Sequence, residues 1–295
     1  TGITAQAKGS NNKQEVMYSL LRALFVGLII GTLISLCRSV LAPLASQILD
    51  LSNSVSNITT EYILIRSFSA PAVLATYALI GWLIALQKTR EVMIIAFITN
   101  GLNIVLDVVF VTIFHMDVKG VAFGTLISEW TAVIISTYFV IKIYKNEYQV
   151  SIQMKDIIER NAIVRLLTIH TNIFVRTVAL ISAHLWFVNR SSSLGDMILA
   201  ANGVLLNLHM VATFFIDGFA HTCETLVGEA KGQRNLKQFR RIVFITVAWA
   251  LISALFSAFI FYLGGTFFIN LLTSIESIRF LAYEYLSWVI IMPIL

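Results

Sequence analysis

The sequence predicts an all-α membrane protein, with about eight transmembrane helices drawn from a twelve-helix, two-lobed architecture of 6+6 parallel repeats. Three observations predict it. The chain is 58% hydrophobic and only 13% charged, against about 25% charged in ordinary soluble domains, and its mean hydropathy is +0.83. Its apolar stretches run to membrane length and not to strand length, so the spans are helices and not barrel strands. Two motifs also recur, in the same order, in the two halves of the chain.

A window of about 19 residues places the spans in order. Glu15–Leu36 follows the polar turn Lys8-Gly9-Ser10-Asn11-Asn12. Tyr62–Leu86 follows a polar stretch, Ser39–Glu61, and opens on Tyr62 at the depth where interfacial tyrosines sit. Val92–Phe114 carries the first intramembrane carboxylate, and Val121–Ile143 opens on small residues suited to close helix packing. The charged stretch Lys145–Asn161 separates these from Val164–Val188 and Met197–Phe219, the most polar pair. Ile242–Leu263 and Phe280–Leu295 complete the set. The expected division is an N-lobe over 1–145, a cytoplasmic inter-lobe loop over 146–163 and a C-lobe over 164–295.

Lys and Arg orient the spans. Fifteen fall on one side, within Lys8–Arg22, Lys88–Arg90, Lys142–Arg165 and Lys231–Arg241; four, Arg38, Lys119, Arg190 and Arg279, fall on the other. The bias predicts that Lys8–Arg22, Lys145–Asn161 and Lys231–Arg241 face the cytoplasm. The net charge of +5 is thus a topology signal and not a nucleic-acid patch. Cys37 and Cys223 lie in or near apolar segments without ligand-like neighbours and read as buried free thiols. The five His show no metal spacing, and no phosphate-binding glycine motif is present, so neither a metal site nor ATP is expected.

The first recurring motif is "QAKGSNN-KQ" at Gln6–Gln14, which returns as "EAKGQRNLKQ" at Glu229–Gln238. The second is "EYILIRSFSAP" at Glu61–Pro71, echoed by "EYLSWVIIMP" at Glu284–Pro293. Both Ala-Lys-Gly turns are read as cytoplasmic, so the copies are parallel repeats about an axis along the membrane normal. The offset of about 222–224 residues predicts two further helices beyond each end and a complete protein of about 440 residues.

Ionisable groups inside a span are candidate functional residues, because burying them costs several kcal/mol unless they are paired or neutralised. In "NGLNIVLDVVF", Asn103 and Asp107 are four residues apart and share a helix face. Asp107 lies about 10 Å of helix from Phe114, too deep to snorkel, and is a candidate proton carrier. In the second half Arg176 requires a counter-ion, for which Asp217 or Glu224 on the neighbouring helix is the candidate. Glu129 in the fourth span is a carboxylate with no assigned partner.

The strings "TGITAQAKG", "NGLNIVLDVVF", "KGVAFGTLISEW", "GDMILAANGVLLNL" and "FIDGFAHTCETLVGEAKG" resemble the multidrug and toxic compound extrusion (MATE) family, in its DinF-like branch. The resemblance runs along the whole chain. It implies a V-shaped cleft between two six-helix lobes and export of organic cations coupled to H+ or Na+. It further implies that Asp107 and Asn103 line the N-lobe cavity with Tyr62 and Thr125 beside them. The family's principal coupling carboxylate, on its first helix, is expected before Thr1. The expected protein is a monomer in a bacterial inner membrane, not an enzyme, without cofactor, whose partners are a cationic or amphipathic small molecule and the bilayer. A lipid-linked oligosaccharide flippase of related fold is the alternative; it favours a strongly basic cavity, whereas the mid-membrane arginines are only Arg66 and Arg176.

Overall fold

The protein is described by a computed structural model covering residues 1–48 and 53–294. The part of the polar stretch at 49–52 and the last residue of the final expected span lie outside the described residues. The helices run α1 (Gly2–Gly9), α2 (Lys13–Leu36), α3 (Arg38–Ile48), α4 (Asn53–Arg66), α5 (Ala70–Ala85), α6 (Thr89–Val108), α7 (Asp117–Ile143), α8 (Met154–Ile157), α9 (Arg160–Ser193), α10 (Asp196–Gly232), α11 (Leu236–Leu272) and α12 (Glu276–Ile291). Among the described residues, 8 helical stretches are long and apolar enough to cross a membrane, and none is a strand.

Two boundaries differ from the sequence reading. The polar stretch Ser39–Glu61 is helical wherever it is described, as α3 and the first part of α4. Asn53–Arg66 contains no Gly or Pro to end a helix, so α4 runs on into the span. α10 and α11 are each 37 residues long, about 55 Å at 1.5 Å per residue, and project well past the hydrocarbon.

The repeat is visible in local geometry. Asn11 and Arg234 both adopt left-handed backbone, with φ of 55° and 54°. Each is followed by an asparagine N-cap: the Asn12 side chain accepts from the Glu15 N–H and that of Asn235 from the Gln238 N–H, both at 3.0 Å. The Asn12 and Asn235 amides also bond back to the carbonyls of Ala7 and Ala230, again at 3.0 Å each. The proline motifs match as well: short 3-10 turns lie at Ser67–Ser69, ahead of Pro71, and at Met292–Ile294, around Pro293.

By contacts the chain forms two compact units, Thr1–Ile163 with Lys231–Gln233, and Val164–Ala230 with Arg234–Leu295. In the first, α2 packs on α5 and α7 packs on α4, α5 and α6. Lipid tails are as apolar as Leu, so close van der Waals fit at small residues carries this packing. α7 places Gly120, Gly124, Ser128, Ala132 and Ser136 four residues apart on one buried face. Gly31 on α2 lies so close to Pro71 that a Cβ there would stand 2.7 Å from the proline nitrogen. Trp82 is 2% exposed among Val16, Leu20 and Leu83 and donates its indole N–H to the Val16 carbonyl at 2.9 Å.

The stretch after α7 is docked on this first unit. The Tyr18 hydroxyl donates to the Asp156 carboxylate at 2.8 Å. The Arg22 guanidinium, 5% exposed, donates to the Asp156 carbonyl at 2.9 Å and to Glu15 at 2.8 Å. Lys88 pairs with Glu147, and Tyr148 packs on the Trp82 ring.

The second unit has its own core of Ala201, Leu205, Leu208 and Ala212 on α10, Phe261 and Ile269 on α11, and Ala282 and Val289 on α12. Arg279 closes the end of α11, donating to the carbonyls of Thr273 at 2.7 Å and Asn270 at 3.0 Å, where the helix dipole favours a cation. Cys37 and Cys223 are free thiols; Cys37 is exposed and Cys223 half-buried, so the expected burial does not hold for Cys37, which caps the C-terminus of α2.

Candidate functional site

Asn103, Asp107 and Thr125 come together between α6 and α7. The Asn103 amide donates to Asp107 Oδ1 at 3.2 Å and to Thr125 Oγ1 at 3.3 Å. The first contact follows from four-residue spacing on one helix; the second requires α7 to lie close against α6. Gly120 and Gly124 permit that approach. A Cβ at Gly120 would stand 2.9 Å from Phe110 Cβ, and one at Gly124 would overlap Asp107 Oδ1. Thr125 also donates to the Val121 carbonyl at 2.9 Å, which leaves its oxygen lone pairs free to accept. Immediately after Asp107 the helix widens into a π-helical turn at Val109–Ile113, a distortion common at functional positions.

This cluster holds a carboxylate, an amide and a hydroxyl at membrane depth. An ionised Asp107 can accept from Asn103 and attract a cation. A protonated Asp107 presents a neutral O–H donor in the same place.

A second polar group lies one helical turn along α7. Arg66 at the end of α4 meets Glu129 in a bidentate ion pair, with Nη1–Oε2 at 2.6 Å and Nη2–Oε1 at 2.9 Å, both side chains half-buried. Arg66 Nη1 also donates to Ser69 Oγ at 2.9 Å. Tyr62, four residues before Arg66, interacts with this guanidinium. The sequence reading left Glu129 without a partner and named Arg66 only as a mid-membrane arginine. The missing signal was pairwise: each charge was visible, but their meeting depends on how α4 packs on α7.

In the second unit the expected Arg176 pairs are not formed. Arg176 and Asp217 are exposed, and among the described residues Arg176 has no ion-pair partner. The physical reason is that α9 is exposed along almost its whole described length, so its charged face meets no helix. Glu224 does make a polar or electrostatic contact. The polar tie present between α9 and α10 is from the Asn202 amide to Ser191 Oγ, at 2.8 Å. A cavity of about 360 Å³ lies beside it, lined by Phe187, Leu205, Tyr285 and Trp288 among others. Among the described residues, no group of 3 or more His, Cys, Asp or Glu is placed to hold a metal ion. The side chain of His170 lies outside the described residues.

Comparison with known proteins agrees with this architecture. The chain is 35% identical over 294 residues to the DNA damage-inducible protein F of Escherichia coli (strain K12), which covers 100% of this chain and 64% of that protein. It is 28% identical over 133 residues to the multidrug export protein MepA of Staphylococcus haemolyticus (strain JCSC1435), covering 45% of this chain and 29% of the relative. The chain thus spans under two thirds of the length of these relatives. Among solved structures, an outward-facing multidrug resistance MATE family transporter of the MOP superfamily superposes with a TM-score of 0.88 at 19% identity, covering 99% of this chain and 66% of that one. The eukaryotic MATE transporter AtDTX14 superposes with a TM-score of 0.84 at 14% identity, covering 99% and 65%. At these identities the superpositions speak to the fold alone. The family profile described as MatE matches residues 1–109 and 171–294, a span that takes in Asn103 and Asp107, and the chain therefore belongs to the MatE family.

Proposed function

We propose that this protein is a secondary active antiporter that exports organic cations, drugs or toxic metabolites against a proton or sodium gradient by alternating access, and that it is a transporter and not an enzyme. The observation that carries the reading is the Asp107–Asn103–Thr125 cluster, a carboxylate within an apolar span held by the neutral Asn103 amide, which also donates to Thr125. With Asp107 ionised, the cluster holds a cationic cargo, and Asn103 keeps the carboxylate oriented. Protonation, or capture of Na+ by the carboxylate, amide and hydroxyl oxygens, removes the charge that attracts the cargo and releases it. Tyr62 adds an aromatic and hydrogen-bonding surface on α4. Residues 1–145 and 164–295 act as two lobes that rock about a central cleft, joined by 146–163. The stretches Lys8–Arg22, Lys145–Asn161 and Lys231–Arg241 face the cytoplasm of a bacterial inner membrane, and the protein works as a monomer.

The flippase alternative draws no support from Arg66, whose charge is taken up by Glu129. The test is efflux of a cationic dye from cells expressing the complete reading frame, driven in turn by a proton and by a sodium gradient. Asp107→Asn is expected to abolish efflux under the driving gradient. Unchanged efflux in this variant would overturn the role assigned to the carboxylate.

A further inference from the structure

The two copies of the repeated turn fold alike but set their cations in different surroundings. In the first copy the cations are engaged by the stretch that follows α7: Lys13 donates to the Glu147 carbonyl at 3.0 Å, and Arg22 is held by Glu15 and by Asp156. In the second copy Arg234, Lys237, Arg240 and Arg241 are all exposed. None of the four has an ion-pair partner among the described residues. Within α11 itself no carboxylate is available to them, since no Asp or Glu occurs between Lys231 and Ile275. Arg240 and Arg241 lie three and four residues after Lys237, so both neighbour it on the first two turns of α11.

The length of α11 sets their depth. Its 37 residues span about 55 Å, whereas the hydrocarbon core is about 30 Å thick and the bilayer with headgroups about 40–45 Å. The apolar run Ile242–Leu263, about 33 Å of helix, is by itself long enough to cross the hydrocarbon core, so the turns just before it lie at the level of the lipid phosphates. Leu236 and Phe244, exposed at 62% and 76%, flank the cations with apolar surface of the kind that enters the headgroup boundary. Orientation signals account for the sign of this charge. They do not account for four cations left unneutralised at phosphate depth.

We propose that Arg234, Lys237, Arg240 and Arg241 form a docking surface for the headgroups of anionic phospholipids, which supply the negative charge that no described side chain supplies to these four cations. Each cation near a negatively charged lipid surface adds attraction that falls off within a Debye length, so the surface is selective for anionic over zwitterionic lipid and is weakened by salt. This inference goes beyond the transport reading and does not depend on it, because lipid binding is read on the purified protein without any gradient.

The test is native mass spectrometry of the purified complete protein in mixed micelles of phosphatidylglycerol and phosphatidylcholine. Wild type is expected to retain phosphatidylglycerol about tenfold over phosphatidylcholine at low salt, with the preference shrinking as sodium chloride is added. Replacing all four residues by Gln is expected to remove the preference, while the variant Arg234→Lys, Arg240→Lys, Arg241→Lys retains it. Thermal unfolding of both variants in the same detergent separates lost binding from lost fold. If the Gln variant unfolds, Arg241→Gln alone is expected to lower the preference part-way. Equal retention of the two lipids by wild type, an undiminished preference in the folded Gln or Arg241→Gln variant, or displacement of phosphatidylglycerol by equimolar inorganic phosphate would each overturn the proposal.

Discussion

Arg66 and Glu129 sit 63 residues apart in sequence and close a two-hydrogen-bond ion pair between α4 and α7, at 2.6 and 2.9 Å. Ser69 accepts a third hydrogen bond from the same guanidinium. Along α7, Glu129 follows Thr125 by one turn, so this pair and the Asp107 cluster decorate one side of a single helix. The two groups differ in kind. Arg66 and Glu129 neutralise each other, whereas among the described residues the Asp107 carboxylate is bonded by the neutral Asn103 amide.

That distinction predicts a stability effect. Removing one member of a buried ion pair strands the other charge and costs about 3–5 kcal/mol; partial exposure here brings the figure toward about 2 kcal/mol. Glu129→Gln should lower the unfolding temperature in detergent, and adding Arg66→Gln should restore part of the loss. A double variant as unstable as the sum of the singles would show that the two residues act independently.

Gly124→Ala tests the approach of α7 to α6. In an unconstrained helix this change stabilises by about 0.5–1 kcal/mol. Here the added methyl overlaps Asp107 Oδ1, so the variant should fold with reduced stability and lose most dye efflux. A gain in unfolding temperature with full efflux would refute the packing argument.

Thr125→Val removes an acceptor of the Asn103 amide while keeping the shape of the side chain. Loss of one hydrogen bond of this kind costs about 1 kcal/mol, so cargo affinity should fall by about fivefold, with Thr125→Ser near wild type. Dye binding measured by fluorescence polarisation gives the comparison.

The docked stretch after α7 should be releasable without unfolding the helices. Tyr18→Phe combined with Asp156→Ala removes the hydroxyl–carboxylate bond, and trypsin should then cut faster after Lys145 and Lys155. Equal cleavage rates would mean that Arg22 and the Lys88–Glu147 pair hold the stretch by themselves.

Much of this protein is written locally. Apolar length located the spans, because a helix that satisfies its own backbone hydrogen bonds is the low-cost way through lipid. The turn that recurs at Gln6–Gln14 and Glu229–Gln238 was legible as a repeated string, and its Asn12 and Asn235 caps are contacts over three residues within it. Asn103 with Asp107 was legible for the same reason, being one helical turn.

Tertiary packing decided the rest. Polarity suggested a loop over Ser39–Glu61, yet the described parts are helical, since polar side chains do not by themselves stop a helix. Arg66 found Glu129 rather than remaining a lone cation, and Gly124 turned out to be the space that Asp107 occupies. The equally suggestive Arg176 and Asp217 did not pair. A sequence displays charges, spacings and hydropathy, which depend on neighbours within a turn or two. Which distant charges meet depends on helix rotation and approach, and those are settled by small-residue contacts spread over several helices at once.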